Sequence, residues 1–472
     1  MKRTGLALLA LTFALGSLAA RADSLRDIYE TALANDAQLK AERAQYRANL
    51  ETENVGLSRL LPQVNANYDY SDSDQNTTGE SFTVDGDIGA VTAVQTRTKI
   101  DTTRKGYEVT LNQALFDLPA WFSFQSGKEF SKQAEATFAA NQQNLIIRVT
   151  DSYLGVLRAQ DNLAASRAQE RAFERQLEQS QQRFEVGLIA ITDGYEAQAA
   201  RDLAQVNRIV DENSVSVALE RLSVLTGSEH SNLRVLEENF TAKLPEPVDR
   251  NAWVDFALEN NFNLQAARHA EEVSRQNAAA NRFEHAPRVS GNYRYSDYDT
   301  DGTLTRLPST GFDTSPDGQA DQSVWQLRLD VPLYSGGAVS ANRRRAAQEF
   351  NVARESRINL SRNTVTNARS LHMTVISDVS RVAARAQAIV SSQSALDATQ
   401  AGYEVGTRNV VDVLNAQNTL FAAQRDYANS RYDYILNMLR LKEQAGLLSP
   451  EDVYALDAAL REPAAPTASS TP

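Results

Sequence analysis

The chain is written twice. Phe184-Glu185-Val186-Gly187, followed by Asp193, returns 219 residues later as Tyr403-Glu404-Val405-Gly406, followed by Asp412. Ala32-Leu33, Asn35, Leu39, Pro62, Val64 and Asn67-Tyr68 reappear at an offset of 225 as Ala257-Leu258, Asn260, Leu264, Pro287, Val289 and Asn292-Tyr293. Leu115-Phe116 matches Leu333-Tyr334 at an offset of 218. Offsets that hold within blocks and shift only between them mean two copies of one structural unit, with length changes confined to connections. Any function belongs to a pseudo-symmetric object.

Lys2-Arg3, the apolar run Leu6 to Leu18 and Ala20-Arg21-Ala22 have the charged start, short apolar core and small-residue cleavage pattern of a secretory signal peptide. The run is too short to span ~30 Å of hydrocarbon as an anchor. Residues 1–22 are therefore expected to be removed, leaving 45 basic and 60 acidic side chains and a net charge of −15 from Asp23 onward. Such a chain is a poor nucleic-acid binder. With no cysteine, it has no disulfide, no thiolate metal site and no lipidated N-terminal cysteine. His230, His269, His285 and His372 lack metal-ligand spacing, and neither a phosphate loop nor a catalytic triad is discernible. The expectation is a non-enzyme without a cofactor or metal.

All twelve prolines lie outside two stretches, Ala120 to Leu244 and Leu333 to Ser449, which are rich in helix-forming Ala, Gln, Arg, Glu and Leu. The Val-Gly turns divide these into helices over about 120–186 and 190–226 in the first copy, and 338–405 and 409–445 in the second. Seven-residue apolar steps, Leu203, Val210, Val217 and Val224 in one copy and Leu414, Phe421, Ala428 and Ile435 in the other, predict coiled-coil seams. A helical pattern over Asn35 to Leu61, repeated over Asn260 to Ala286, supplies ~40 Å that, stacked on the shorter helix, matches the ~100 Å long one. The unit is expected to be a rod with the Val-Gly turns at its tip.

Pro62 and Pro287 open runs with a period of two. Strands are predicted over about 62–73, 104–116, 288–297 and 323–334, with Tyr68, Tyr107, Tyr293 and Trp325 on an apolar face and Asn67, Glu108, Asn292 and Gln326 opposite. Their length, their aromatics and their one polar face suit strands tilted across a bilayer around a wet lumen. The segments Asp72 to Arg104 and Asp297 to Gln322, rich in Thr, Gly and Asp, read as long polar loops. Four strands cannot enclose anything, and a spanning sheet has no open edge, so at least two copies are required. The same strands could instead form soluble hairpins capping a coiled coil.

These residues carry a resemblance. Val186-Gly187-Leu188-Ile189-Ala190-Ile191-Thr192-Asp193 and Tyr403-Glu404-Val405-Gly406-Thr407-Arg408, with Val411-Asp412-Val413-Leu414, are similar to the TolC family of outer-membrane efflux and secretion channels, over about Ser24 to Leu448. The resemblance implies an α+β membrane protein: a homotrimer whose twelve strands, four per protomer, make one transmembrane β-barrel continued by a periplasmic α-helical coiled-coil barrel. The sequence itself divides into repeats over 23–226 and 251–448, a linker over 227–250 that the resemblance places in a belt around the helices, and a C-terminal tail over 449–472, expected to be disordered from about Pro463, where Ala, Ser, Thr and Pro dominate. The resemblance also implies partnership with a periplasmic adaptor and an inner-membrane RND pump or ABC exporter, in a tripartite efflux pump or type I secretion system. The alternative is a structural periplasmic coiled coil with no pore.

In that family the tip is closed by links between neighbouring helices, at positions matching Asp193, Tyr403, Arg408 and Asp412. Locally, Asp193-Gly194-Tyr195-Glu196 also resembles a capping box, and Asp412 follows a good N-cap, Asn409. Gly187 and Gly406 read as left-handed helix terminators. Where family members carry a second pore-facing acid, three places after Asp412, this chain has Asn415, so one ring of carboxylates is expected there instead of two.

Overall fold

A computed structural model describes residues 22–84, 87–237, 239–308 and 314–463. The expected signal peptide, except Ala22, and the end of the tail from residue 464 lie outside the described residues. The chain divides into two compact units.

The unit made of Tyr46–Glu135 and Ala266–Ile358 contains a four-stranded antiparallel sheet. Its strands are β1 (Gln63–Val84), β2 (Val91–Phe116), β4 (Arg288–Leu307) and β5 (Gly318–Asp330), in the order β1-β2-β4-β5. Pro62 and Pro287 immediately precede β1 and β4, where a missing N–H costs the ladder nothing. Register sets Tyr68 beside Tyr107, Val109 beside Tyr295, and Tyr293 beside both Leu111 and Trp325, which gathers the aromatics on one face. The Tyr293 and Trp325 rings lie 4.4 Å apart. The opposite face pairs Asn112 with Asn292 and brings Arg294 to 3.7 Å from Glu108. Neither β1 nor β5 has a second strand neighbour among the described residues.

The strands run well beyond the segments with alternating polarity. Asp72 to Arg104 is not a loop: Asp72 pairs with Thr103, and the ladder continues to Val84 and Val91. The second hairpin likewise stays paired out to Thr300 and Gly318, with β4 continuing to Leu307. Thr77, Thr78, Thr92, Thr96, Thr98, Thr102 and Thr103 supply β-branched chain that suits strands, but both faces here are polar, so period-two contrast vanishes while pairing persists.

The unit made of Met1–Gln45, Ala136–Gln265 and Asn359–Pro472 is helical. The chain runs α1 (Leu25–Asn35), α2 (Ala37–Ser58), α3 (Leu118–Glu185) and α4 (Ile191–Thr226), then α5 (Arg250–Asn260), α6 (Phe262–Arg282), α7 (Ala338–Glu404) and α8 (Val410–Gln444). At 68 residues α3 is ~100 Å long. The core gathers Leu145, Val149, Tyr153, Leu154, Leu157, Tyr432 and Leu436 around Leu25, Ile28 and Trp253. Burial raises the pKa of the Asp161 carboxyl, which accepts a 2.6 Å hydrogen bond from the Tyr432 hydroxyl.

Each repeat opens with a bend absent from the continuous helical pattern. Asp36 ends α1 and caps α2 by accepting from the Leu39 amide at 3.0 Å, while Asn261 does the same for Leu264 at 2.9 Å. In the inter-repeat segment, β3 (Val235–Leu236) pairs with β6 (Leu460–Arg461). Residues 450–457, expected to be tail, form α9 (Pro450–Asp457). Ser449 caps it in a reciprocal box with Asp452, and Pro450 supplies a preset first position.

The two seams meet different fates. On α8, Leu414, Phe421, Ala428 and Ile435 are all buried. On α4, Leu203, Val210, Val217 and Val224 are exposed by 62, 57, 41 and 78%.

Candidate functional site

Both helical hairpins turn through a glycine in the left-handed region, Gly187 at φ +75° and Gly406 at φ +78°. There L side chains are strained, and the reversed backbone lets the next amide reach back over the helix end. Leu188 donates to the Arg183 carbonyl at 2.8 Å, and Thr407 to that of Gly402 at 2.9 Å.

Beyond the glycines the tips diverge. Asn409 caps α8 in a reciprocal box: its side chain accepts from the Asp412 amide at 2.8 Å, and its amide donates to Asp412 Oδ2 at 3.3 Å. Arg408 Nη1 lies 3.9 Å from the same carboxylate. α4 begins after Ala190, which has no side-chain cap. Asp193 stands at the third helical position, so it does not open a capping box. Its carboxylate has no hydrogen-bond or ion-pair partner among the described residues, and the helix dipole alone favours its charge.

Tyr403 is 7% exposed and packs with Phe173, Leu396, Val410, Val413 and Leu414. Its hydroxyl is buried without a partner among the described residues. The Arg183 guanidinium lies 4.6 Å from its ring centroid and donates to the Glu404 carbonyl at 3.5 Å. Together with Gln176, Gln179, Gln182 and Gln400 these two residues line a groove of about 380 Å³. Gln176 Nε2, Ser180 Oγ and Gln417 Oε1 are likewise buried and unpartnered.

Within the protomer, then, Arg408 and Asp412 are brought together, Tyr403 is brought to Arg183, and no hydrogen bond or ion pair joins Asp193 to Tyr403 or Arg408 among the described residues. Asn415 is exposed on the next turn of α8. Arg183 escaped sequence reasoning because it meets Tyr403 from 220 residues away and no local spacing marks it.

The histidines are occupied structurally. His230 bonds Asp23 at 2.7 Å, His269 bonds Glu129 at 2.9 Å, and His285 and His372 bond the carbonyls of Pro332 and Val248. Among the described residues no cluster of acids and histidines could hold a metal, and no helix is long and apolar enough to cross a membrane.

Comparison with known proteins gives one answer. The family model described as outer membrane efflux protein matches residues 28–228 and 253–447, one span per repeat. The chain is 35% identical over 454 residues to outer membrane protein TolC of Vibrio cholerae serotype O1, covering 95% of this chain and 97% of that protein. It is 29% identical to the alkaline protease secretion protein AprF of Pseudomonas aeruginosa, covering 91% and 85%. Its fold superposes on the Campylobacter jejuni CmeC outer membrane channel with a TM-score of 0.70, at 13% identity, covering 93% and 90% of the two chains. With two equivalent hairpins, one four-stranded sheet and both repeats matched, the chain belongs to the outer membrane efflux protein family.

Proposed function

We propose that three copies of this chain pool their sheets into a single twelve-stranded barrel and their helices into one conduit, which carries substrates outward across the outer membrane. The protein is an outer-membrane efflux and secretion channel. The observation that carries the assembly is the sheet order β1-β2-β4-β5, with an apolar aromatic face and both edges open. Lipid tolerates no unpaired edge, so only other copies can complete the ladder. The exposed α4 seam supports the same reading, since a heptad stripe needs a facing helix. A non-pore coiled coil would cover the α4 seam but leaves the aromatic sheet face and its edges unaccounted for.

On this reading export runs from an inner-membrane RND pump or ABC exporter through a periplasmic adaptor, the chain having been exported by a leader over residues 1–22. The tip is the gate. The unpartnered Asp193 carboxylate and the exposed Arg408–Asp412 pair supply links to neighbouring copies, while Tyr403 packs the tip behind them. Exposed pairs contribute only ~0 to 1 kcal/mol each, so the closure is weak enough for an adaptor to release.

In planar bilayers, Tyr403→Phe and Arg408→Ser should each raise single-channel conductance. Unchanged conductance in both would remove them from the gate while leaving the channel itself intact. Heat-modifiable migration on gels and recovery in the outer-membrane fraction test the barrel separately.

A further inference from the structure

Charge is unevenly satisfied along the sheet-bearing unit. At the hairpin end of the strands Lys99 lies 2.8 Å from Asp101, and Lys105 lies 3.2 Å from Asp299 and 3.4 Å from Asp301, while Arg97 is exposed without an ion pair among the described residues. At the end where strands meet helices some are paired, Arg288 to Glu284 at 2.6 Å and Arg345 to Glu349 at 3.5 Å, but more are not. Arg59 follows α2 just before β1, Lys128 lies near the start of α3 after β2, Arg282 closes α6 before β4, and Arg343 and Arg344 lie in the first turns of α7 after β5. All five are exposed, and none makes an ion pair or hydrogen bond among the described residues. Three of the four junctions thus present at least one uncompensated cation, and on the fourth Lys128 stands ~15 Å along α3, in a chain whose formal net charge is −12.

The neighbouring surface identifies what lies beside this belt. On the outward face leading into α7, Trp325, Leu327, Leu329, Leu333 and Tyr334 are exposed by 76, 73, 64, 88 and 84%. The apolar face ends on Tyr334, a ring suited to the boundary between hydrocarbon and headgroups. Arg344 lies ~9 Å along α7, and helical side chains lean toward the helix N-terminus, here back toward the strands. A long Arg or Lys stem then carries its charge up to the headgroup layer, ~6 Å thick beyond the hydrocarbon. On α7, Val339 and Ala346 are buried, and at 100° per residue Arg344 leaves the helix on the side away from both.

We propose that Arg59, Arg282, Arg343 and Arg344 form a collar that binds the phosphate headgroups of anionic glycerophospholipids in the leaflet at the helical end of the barrel. The proposal rests on the barrel reading above. A guanidinium fork matches two phosphate oxygens, and basic groups next to spanning segments select anionic lipid.

The test uses the full chain reconstituted in an equal mixture of phosphatidylglycerol and phosphatidylcholine, with retained lipid counted by native mass spectrometry and conductance recorded from the same vesicles. The wild type should retain phosphatidylglycerol in preference to phosphatidylcholine. The combined variant Arg59→Gln, Arg282→Gln, Arg343→Gln, Arg344→Gln should lose that preference by about tenfold, with conductance unchanged. The corresponding lysine variant, which keeps the charge, should retain most of it.

No preference in the wild type, or full preference in the glutamine variant, would overturn the collar while the conductance still upheld the channel. Displacement of the lipid by inorganic phosphate would likewise overturn it, in favour of a simple anion site. Failure of every variant and of the wild type to insert would overturn the barrel reading and the collar with it.

Discussion

α4 and α8 occupy equivalent places in the two repeats and each carries a seven-residue apolar seam, but the seams are one residue out of register, Val210 corresponding to Asn429 and Phe421 to Asp202, and one is open while the other is closed. Phe421 on α8 is 9% exposed, whereas Val210 on α4 is 57% exposed. Repetition of a period therefore does not mean repetition of surroundings: the second seam is satisfied inside the protomer, and on the proposed assembly the first faces another copy. The bends at the repeat starts differ in a related way. Asp36 accepts a 2.6 Å bond from Arg148 as well as the Leu39 amide, while Asn261, its counterpart, donates instead to the Gln444 carbonyl at 2.9 Å. One bend is held by charge, the other by neutral hydrogen bonds.

The sharpest way to break the comparison is to place a carboxylate in each seam. Phe421→Asp buries a charge in the protomer's own core and should cost more than about 3 kcal/mol, seen as loss of folded protein. Val210→Asp, on an open face, should cost the isolated protomer under about 0.5 kcal/mol yet abolish the assembled species in analytical ultracentrifugation. Equal effects of the two would erase the distinction.

Arg148→Met should come next, at about 2 to 3 kcal/mol, because it leaves the buried Asp36 carboxylate without its counter-charge. Burial alone would push the Asp36 carboxyl up. The Arg148 hydrogen bond, the Leu39 amide and the guanidinium charge outweigh it and hold the group below the usual carboxylate range. A depressed carboxyl stabilises the fold above its unfolded pKa and loses that contribution as pH falls through the folded value. The protection factor of the Leu39 amide, corrected for the intrinsic rate, should therefore fall in acid in the wild type, while that of Leu264 should not; Asp36→Asn should make the two bends respond alike.

The tips give a smaller contrast. Asn409→Ala should loosen the second tip by about 1 kcal/mol, and Ala190→Asn should tighten the first by a similar or smaller amount, both read from exchange in the first turns of α8 and α4. If Ala190→Asn does nothing, the first tip is not limited by its missing cap. Smallest of all, Asn415→Asp should lower the concentration of multivalent cation that blocks the channel by a few-fold, since an exposed charge contributes less than about 1 kcal/mol. Identical block in the two proteins would remove position 415 from the entrance.

Helices were legible because proline is excluded from long stretches and glycine stops them, two effects that act locally on the backbone. The strands showed only where one face is apolar. Past Asp72 and Asp297 the pairing continues with polar residues on both faces, and cross-strand hydrogen bonds leave no periodic trace in composition. The bends at Asp36 and Asn261 were hidden because a capping side chain in the middle of a helical pattern looks like any other polar residue. At the tip, Tyr403 and Asp412 stood out through repetition, whereas Arg183 acts only through a tertiary contact and Asp193 turned out to lie inside its helix instead of capping it.

The bare edges of β1 and β5 also have a genetic corollary on this reading. A subunit that retains those edges but carries a damaged tip would still be recruited alongside healthy subunits, so in a cell expressing both alleles most rings would be mixed. Tip lesions should behave as dominant, and lesions that spoil an edge strand, by excluding their own product from every ring, should be recessive.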